Sequence, residues 1–255
     1  MLALELCDLA DLITRERFRR EDLHVRTKPD MTPVTEADTA VEEALRGQLG
    51  RRRAGDSILG EEFGRSEAPQ SSRRWIIDPI DGTKNYVRGI PVWATLLALQ
   101  EEDELVLGVV SAPALERRWW AARGAGAYMF EPRSESPRPL GVSAVDDLAD
   151  AQMLFSEFEI WDREGRLGAL LDLAKKCWRT RGFGDFWAYM LVAEGAVELS
   201  VEPEVSLWDL AAPRVIVEEA GGRFSDLAGT TTAAGGDAVA SNGLLHDAAL
   251  AIVGR

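Results

Sequence analysis

The chain has 255 residues, 46% of them hydrophobic, which is enough for a substantial core and long enough for two packed units. Asp and Glu number 43 against 29 Lys and Arg, a formal charge of −14, which argues against general binding to nucleic acid or to an anionic membrane. With Cys7 and Cys177 as the only cysteines and His24 and His246 as the only histidines, a cysteine-rich zinc site and an HExxH centre are excluded, and a disulfide framework is disfavoured. The counts fit a reduced, cytoplasmic setting. No basic and apolar export signal opens the chain, and its longest apolar run, IPVWATLLAL, is too short to span a bilayer and contains Pro91.

Leu2, Leu6, Leu9 and Ile13 recur at helical spacing, with Phe18 extending the face, which predicts a helix over 2–20. HVRTKPDMTPV at 24–34 is polar and proline-punctuated and reads as loop. A second helix is expected from Thr35, with Ala37, Val41, Ala44, Leu45 and Leu49 inward. SILG at 57–60 reads as a strand delivering Glu61 and Glu62. WIID at 75–78 reads as a central strand, and VWATLLALQ and LVLGVVSAP, 92–100 and 105–113, as its neighbours around an acidic turn. Residues 117–130 form a hairpin relieved by Gly124 and Gly126, and 131–139 read as a linker. Beyond it strands AQMLFS, CWRTR, AVELSV, FSD and AVAS alternate with helices in DREGRLGALLDLAKK, FWAYMLVAEG, WDLAAPRVIVEEAGG and LLHDAALAIV. Gly221 and Gly222 end the third of these helices. The alternation predicts an α/β unit over 141–255 covered on both faces, following an α+β unit over 1–140.

The chemistry concentrates in WIIDPIDGT, 75–83. Pro79 holds Asp78 extended, the chain must turn at Gly82, and Thr83 can open a helix. Asp78 and Asp81 then converge while free amides at Gly82 and Thr83 face an anion. The plainer reading is an Asp cap on a structural turn. Glu61 and Glu62 alone fit a solvated loop, and Asp209 alone fits a helix cap beside Trp208. Taken together, dispersed hard oxygen ligands without soft ones describe Mg²⁺ acting on a phosphate better than Zn²⁺, and a metal would reverse the acidic field locally. Thr35 and Asp38 read as a capping-box variant, with orientation of Thr83 as the functional alternative for Asp38.

The motifs GEE at 60–62, DPIDGT at 78–83, WDLAAP at 208–213, EEAGG at 218–222 and VTEAD at 34–38 together resemble the inositol monophosphatase-like family of Mg²⁺-dependent phosphatases over nearly the whole chain. The resemblance implies a layered αβαβα sandwich, α/β and α+β in class, assembled as a homodimer. It implies one Mg²⁺ held by Glu61, Asp78 and the carbonyl of Ile80, and a second held by Asp78, Asp81 and Asp209. Gly82 and Thr83 would bind phosphate, and a Mg²⁺-activated water, assisted by Thr83 with Asp38 and by Glu61, would attack phosphorus directly. Glu62 would support this set from outside, and Lys28 resembles a family lysine near a third metal.

Residues 81–99, 154–161 and 180–195 resemble the histidinol-phosphatase branch more than inositol phosphatases. Asp185 stands where inositol enzymes carry a small or hydroxylated residue, and Glu202 matches a glutamate on the leaving-group side. Both would suit a cationic amine beside an imidazole, which implies hydrolysis of the small phosphate ester L-histidinol phosphate in histidine biosynthesis. Asp185, Glu202 and Arg181 are the candidate substrate-binding residues; the plainer alternatives are a helix cap for Asp185, a solvated strand end for Glu202 and an Arg181 ion pair with either. Trp93 and Trp187 could flank the imidazole or fill the core. The competing functional reading is an inositol or other small-molecule phosphatase.

Overall fold

The structure, a computed structural model, describes residues 2–28, 32–68, 70–132 and 135–254. In chain order the elements are α1 (Leu2–Arg17), β1 (Val25–Thr27), β2 (Pro33–Thr35), α2 (Glu36–Arg52), β3 (Ser57–Gly60), β4 (Gly64–Ser66), β5 (Arg73–Asp81), α3 (Thr83–Val87), β6 (Ala94–Glu101), β7 (Glu104–Ala112), β8 (Arg117–Ala122), β9 (Ala127–Phe130) and β10 (Arg138–Pro139). They continue as β11 (Gln152–Phe155), α4 (Phe158–Arg163), α5 (Leu167–Ala174), β12 (Arg179–Arg181), α6 (Asp185–Ala193), β13 (Leu199–Glu202), α7 (Leu207–Glu219), β14 (Arg223–Ser225), β15 (Ala238–Ser241) and α8 (His246–Val253). Three expectations need correction, the first because the end of the expected 131–139 linker pairs with β9 as β10, Arg138 opposite Met129. Part of the proline-punctuated stretch pairs as the β1–β2 ribbon, Val25 opposite Thr35, while residues 29–31 lie outside the described set. The helix expected over DREGRLGALLDLAKK is broken at Gly165, whose φ of +69° no helix interior accepts, so α4 and α5 are separate. Arg133 and Ser134 of the expected linker also lie outside the described residues.

Eight strands form the larger sheet in the order β10-β9-β8-β7-β6-β5-β3-β4, and five form the smaller, β12-β11-β13-β15-β14. Strand alternation decides the layering, because successive side chains leave opposite faces. Trp75, Ile77, Leu97 and Val109 pack under α1 and α2 with Leu6, Val41, Leu45 and Leu49. Ile76, Leu96, Ala98 and Val110 leave the other face and join Met190, Leu210, Ile216 and Val217 of α6 and α7. The same cluster takes in Leu154, Phe224, Ala238 and Ala240 from one face of the smaller sheet. Met153, Phe155, Leu199, Val201 and Val239 leave its far face to meet Trp161, Leu170, Leu173, Ala249 and Val253 of α4, α5 and α8. The result is helix, sheet, helix, sheet, helix. Strands buried on both faces need near-continuous apolar sequence, which is why WIID, ATLLAL and LVLGVV carry so little alternation.

The middle layer is held close. A Cβ on Gly108 of β7 would lie 2.5 Å from the Ala212 carbonyl of α7, so the helix rides directly on that strand's backbone. Among the described residues no helix is long and apolar enough to cross a membrane.

Candidate active site

By the same alternation Asp78 follows Ile76 onto the face that meets α6 and α7. Facing β6, Asp78 pairs with Leu96 and Asp81 with Ala94, so three residue steps on β5 oppose two on its partner. This bulge turns the strand end so that both carboxylates lie on one side, a role often served by an irregularity next to a site. Gly82 then takes φ +81°, open to glycine and strained for other residues, and caps the short α3. The amides of Asn85 and Tyr86 donate to the Gly82 carbonyl, while the Thr83 and Lys84 amides that open α3 precede any acceptor in the helix.

Asp209 arrives from the first turn of α7. One of its carboxylate oxygens accepts from the Ser206 amide at 2.8 Å, so the cap reading holds, while the carboxylate also meets the strand end. Asp78, Asp81 and Asp209 each offer an oxygen, all within 4.8 Å of one another. Asp81 accepts from the Phe186 amide at 2.6 Å, the opening turn of α6. Asp78 Oδ1 is buried and has no hydrogen-bond partner among the described residues. Burial, then the charges of Glu61, Asp81 and Asp209, push the Asp78 carboxyl well above its ordinary range. Burial, then Asp185 and Asp209, do the same to Asp81, and burial drives Asp209 up to about 7. Three acids that resist ionisation together, one with an orphaned oxygen, are the donor set a hard divalent cation satisfies.

Around this centre lies a second set. Asp38 is fully buried and accepts from the Thr35 amide at 2.8 Å and the Thr35 hydroxyl at 2.5 Å, closing the capping box of α2. Its other oxygen lies 3.3 Å from the Thr83 hydroxyl, which is 2.9 Å from the Ile80 carbonyl, so the structural and orienting readings of Asp38 coexist. Burial raises the Asp38 carboxyl to about 6. Lys28 Nζ bonds Glu61 at 2.7 Å and Glu62 at 2.6 Å. Glu61 therefore stands near the triad, close enough to raise Asp78, with its carboxylate turned to a lysine.

On the side of α6, Asp185 has φ +53° and accepts from Asn85 Nδ2 at 3.3 Å; no hydrogen bond from an α6 amide reaches its carboxylate among the described residues. Burial raises it to about 6, against the pull of Lys84. Glu202 is 6% exposed, so the solvated strand-end reading fails; its carboxylate lies against the Tyr189 hydroxyl, and among the described residues its Oε1 makes no well-formed hydrogen bond. Burial, then Asp185 and Asp209, hold its carboxyl well above the usual range.

The profile of the inositol monophosphatase family matches residues 2–254. The chain belongs to the inositol monophosphatase family. It is 56% identical over 250 residues to a histidinol-phosphatase of Streptomyces coelicolor, covering 96% of this chain and 93% of that one. Identity is 55% to a histidinol-phosphatase of Mycobacterium tuberculosis, covering 98% and 95%. Among solved structures, an inositol monophosphatase from Zymomonas mobilis superposes with a TM-score of 0.86 at 30% identity, covering 100% of this chain and 96% of that chain. The family is metal-dependent, and the acidic triad is where this member can hold a metal.

Within this family frame, the structure gathers Asp78, Asp81 and Asp209 and links Thr83 to Asp38, while Asp185 and Glu202 lie near enough to raise Asp81's carboxyl. Arg181 is not brought in. It is exposed on edge strand β12, donates to the Thr180 carbonyl at 2.8 Å, and forms no ion pair with Asp185 or Glu202 among the described residues. Trp93 fills the core beside Phe18 and Tyr86, its ring 4.9 Å from that of Tyr86, so it cannot flank a substrate. Trp187 is half-buried against Phe183 at 4.7 Å. Sequence reasoning missed Asn85, which bonds both Asp185 and the Val92 carbonyl, and Glu42, fully buried on the inner face of α2. A signal for Glu42 was present: an acid one helical turn after Asp38, among Val41, Leu45 and Leu49, sits on the face that should be apolar.

Proposed function

We propose that this chain hydrolyses L-histidinol phosphate to L-histidinol and phosphate, with Mg²⁺ held by Asp78, Asp81, Asp209, Glu61 and the Ile80 carbonyl. The observation that carries the substrate is the identity of 55–56%, over nearly the full length, to two histidinol-phosphatases. The metal reading is supported by the triad and its orphaned oxygen. Mg²⁺ bound there supplies neutralising charge for carboxylates and phosphate and makes water more acidic.

The chain's own groups do the rest. The amides at Gly82 and Thr83 orient phosphate oxygens. The Thr83 hydroxyl positions the attacking water and passes its proton toward Asp38, whose raised carboxyl, at about 6, is basic enough to accept near neutral pH. Asp185 and Glu202 place negative charge where the substrate's amine and imidazole stand, and Glu202 Oε1 offers an acceptor with no well-formed bond among the described residues. Buried and close together, they favour a cation over a polyol, since a cation relieves their mutual repulsion. The chain divides near residue 140 into a unit carrying most metal and phosphate ligands and one completing the site through Asp209. It works in the cytoplasm, in keeping with two free cysteines, and as a homodimer, with its acidic surface turned away from nucleic acid and membranes.

Phosphate release from L-histidinol phosphate and inositol 1-phosphate, side by side with Mg²⁺ and with or without chelator, tests this. A strong, chelator-sensitive preference for the first is expected. Preference for the second would replace the substrate reading while keeping the metal chemistry, an outcome the Zymomonas mobilis neighbour keeps in play. Light scattering of the purified chain, expected to give twice the 28.0 kDa monomer mass, tests the homodimer.

A further inference from the structure

The turn that carries Glu61 and Glu62 joins β3 to β4 and has three amides to satisfy. The Glu61 amide donates to the Ile77 carbonyl at 3.1 Å, tying the turn to β5 one residue before Asp78. The next two donate to a side chain from a different element: Glu62 N to Glu42 Oε2 at 2.7 Å and Phe63 N to Glu42 Oε1 at 3.2 Å. Glu42 is fully buried on α2, and its Oε1 also accepts from Arg46 Nε at 2.7 Å. Arg46 in turn donates to Ser66 Oγ at 2.9 Å and to the Gly64 carbonyl, so the pair grips the turn and the strand that leaves it.

Gly60, the first residue of GEE, belongs to the same device. A Cβ there would overlap all three atoms of the Glu42 carboxylate. That carboxylate has three donors and no solvent to swing into, so it cannot yield cheaply. The glycine is required for the approach of a side chain, and its φ is not in the left-handed region.

We infer that Glu42 is a positioning residue: its carboxylate, packed on Gly60 and anchored by Arg46, fixes the turn that presents Glu61 to the metal. Two charge-assisted bonds to turn amides set the height of that turn against β5, and an unpinned turn would leave Glu61 with Lys28 more often than with a cation. The inference rests on the reading of Glu61 as a metal ligand.

The test is titration calorimetry of Mg²⁺ into the metal-free full chain, for wild type, Glu42→Gln, Glu61→Gln and the double variant. In Glu42→Gln the amide oxygen keeps the contacts of Oε1, but its NH₂ confronts the Glu62 amide and frees it. The expected result is Mg²⁺ affinity weakened about 10-fold, the usual scale for groups that orient ligands. Because Glu42 acts through Glu61, the double variant should fall no more than about 2-fold below Glu61→Gln alone. A merely structural role would lower the melting temperature and leave the two effects independent. Glu42→Asp keeps the charge and is one methylene too short for the turn, so it serves if Glu42→Gln does not fold. Wild-type affinity in the folded Glu42 variant, or full additivity with Glu61→Gln, overturns the inference and leaves the metal site standing. Absence of Mg²⁺ uptake by wild type would overturn both.

Discussion

In metal-free protein, Asp78→Asn should raise stability while abolishing turnover. The triad's oxygens lie within 4.8 Å of one another. At an effective dielectric constant of about 20, each ionised pair at that distance repels by about 3.5 kcal/mol. Asp78 takes part in two such pairs, and after burial itself Glu61 opposes its ionisation at least as strongly as either partner. Proton uptake relieves part of this, so the gain from an isosteric neutral group is roughly 2–4 kcal/mol, or on the order of 5–10 °C in melting temperature for a chain of this size.

The pH dependence identifies the cause. A carboxyl whose folded pKa lies above its unfolded value binds more protons in the native state, so the penalty grows as pH rises above the ordinary value near 3.8 and levels off beyond the folded value, about 7 for Asp209. The advantage of Asp78→Asn should therefore be clearly larger at pH 7.5 than at pH 4.5. Calorimetric melting in chelator at both pH values measures it, and Mg²⁺ should stabilise wild type but not the variant. A variant no more stable than wild type at pH 7.5, or equally favoured at both pH values, refutes burial and mutual repulsion of the carboxylates as the source of the instability.

Asp185→Asn should lower kcat/KM for L-histidinol phosphate by about 10- to 100-fold, the scale of a lost hydrogen bond to a charged partner, and leave a neutral-alcohol phosphate nearly unaffected. Equal losses on both would show that Asp185 serves the scaffold and not the amine. His246 is buried between Ser241 Oγ at 2.8 Å on Nδ1 and Ser225 Oγ at 2.9 Å on Nε2, and burial depresses its pKa to about 4. The unfolded chain then binds the extra proton first, so stability falls as pH drops from 6.5 toward 4, by roughly 2–3 kcal/mol, opposite in sign to the triad; acid melts of His246→Asn should lack this component. Gly108→Ala should cost about 1–3 kcal/mol, because its Cβ would sit 2.5 Å from the Ala212 carbonyl and press α7 off the sheet. An unchanged melting temperature would mean that α7 adjusts freely.

Much of this molecule was legible from local pattern. The helical spacing of Leu2, Leu6 and Leu9 and the doubly apolar runs WIID and ATLLAL name their elements because periodicity is a local property of the chain. The β1–β2 ribbon was not legible, since its strands are three residues long, exposed or proline-bearing, and exist only by pairing with each other. Gly165 hid the break between α4 and α5 within an otherwise helical composition. Trp93 and Trp187 carry the same side chain, yet one is sealed in an aromatic cluster and the other stands half-buried beside Phe183, a difference no local window contains.

From sequence alone came the identity of the acids, the turn at Gly82 and the family, because each is written in a short motif. The tertiary structure decided which acids meet, since Asp78, Asp81 and Asp209 converge only when a bulged strand end and the first turn of α7 are packed across one sheet face. It also decided the roles of Glu42 and Arg181. Both are charged residues in ordinary surroundings along the chain, but burial forces the first to find three donors and holds it against Gly60. An edge strand leaves the second in water, where among the described residues it bonds its neighbour's carbonyl alone. Motifs specify which groups are present; the free energy of burying them, which depends on what the rest of the chain brings alongside, decides what each can do.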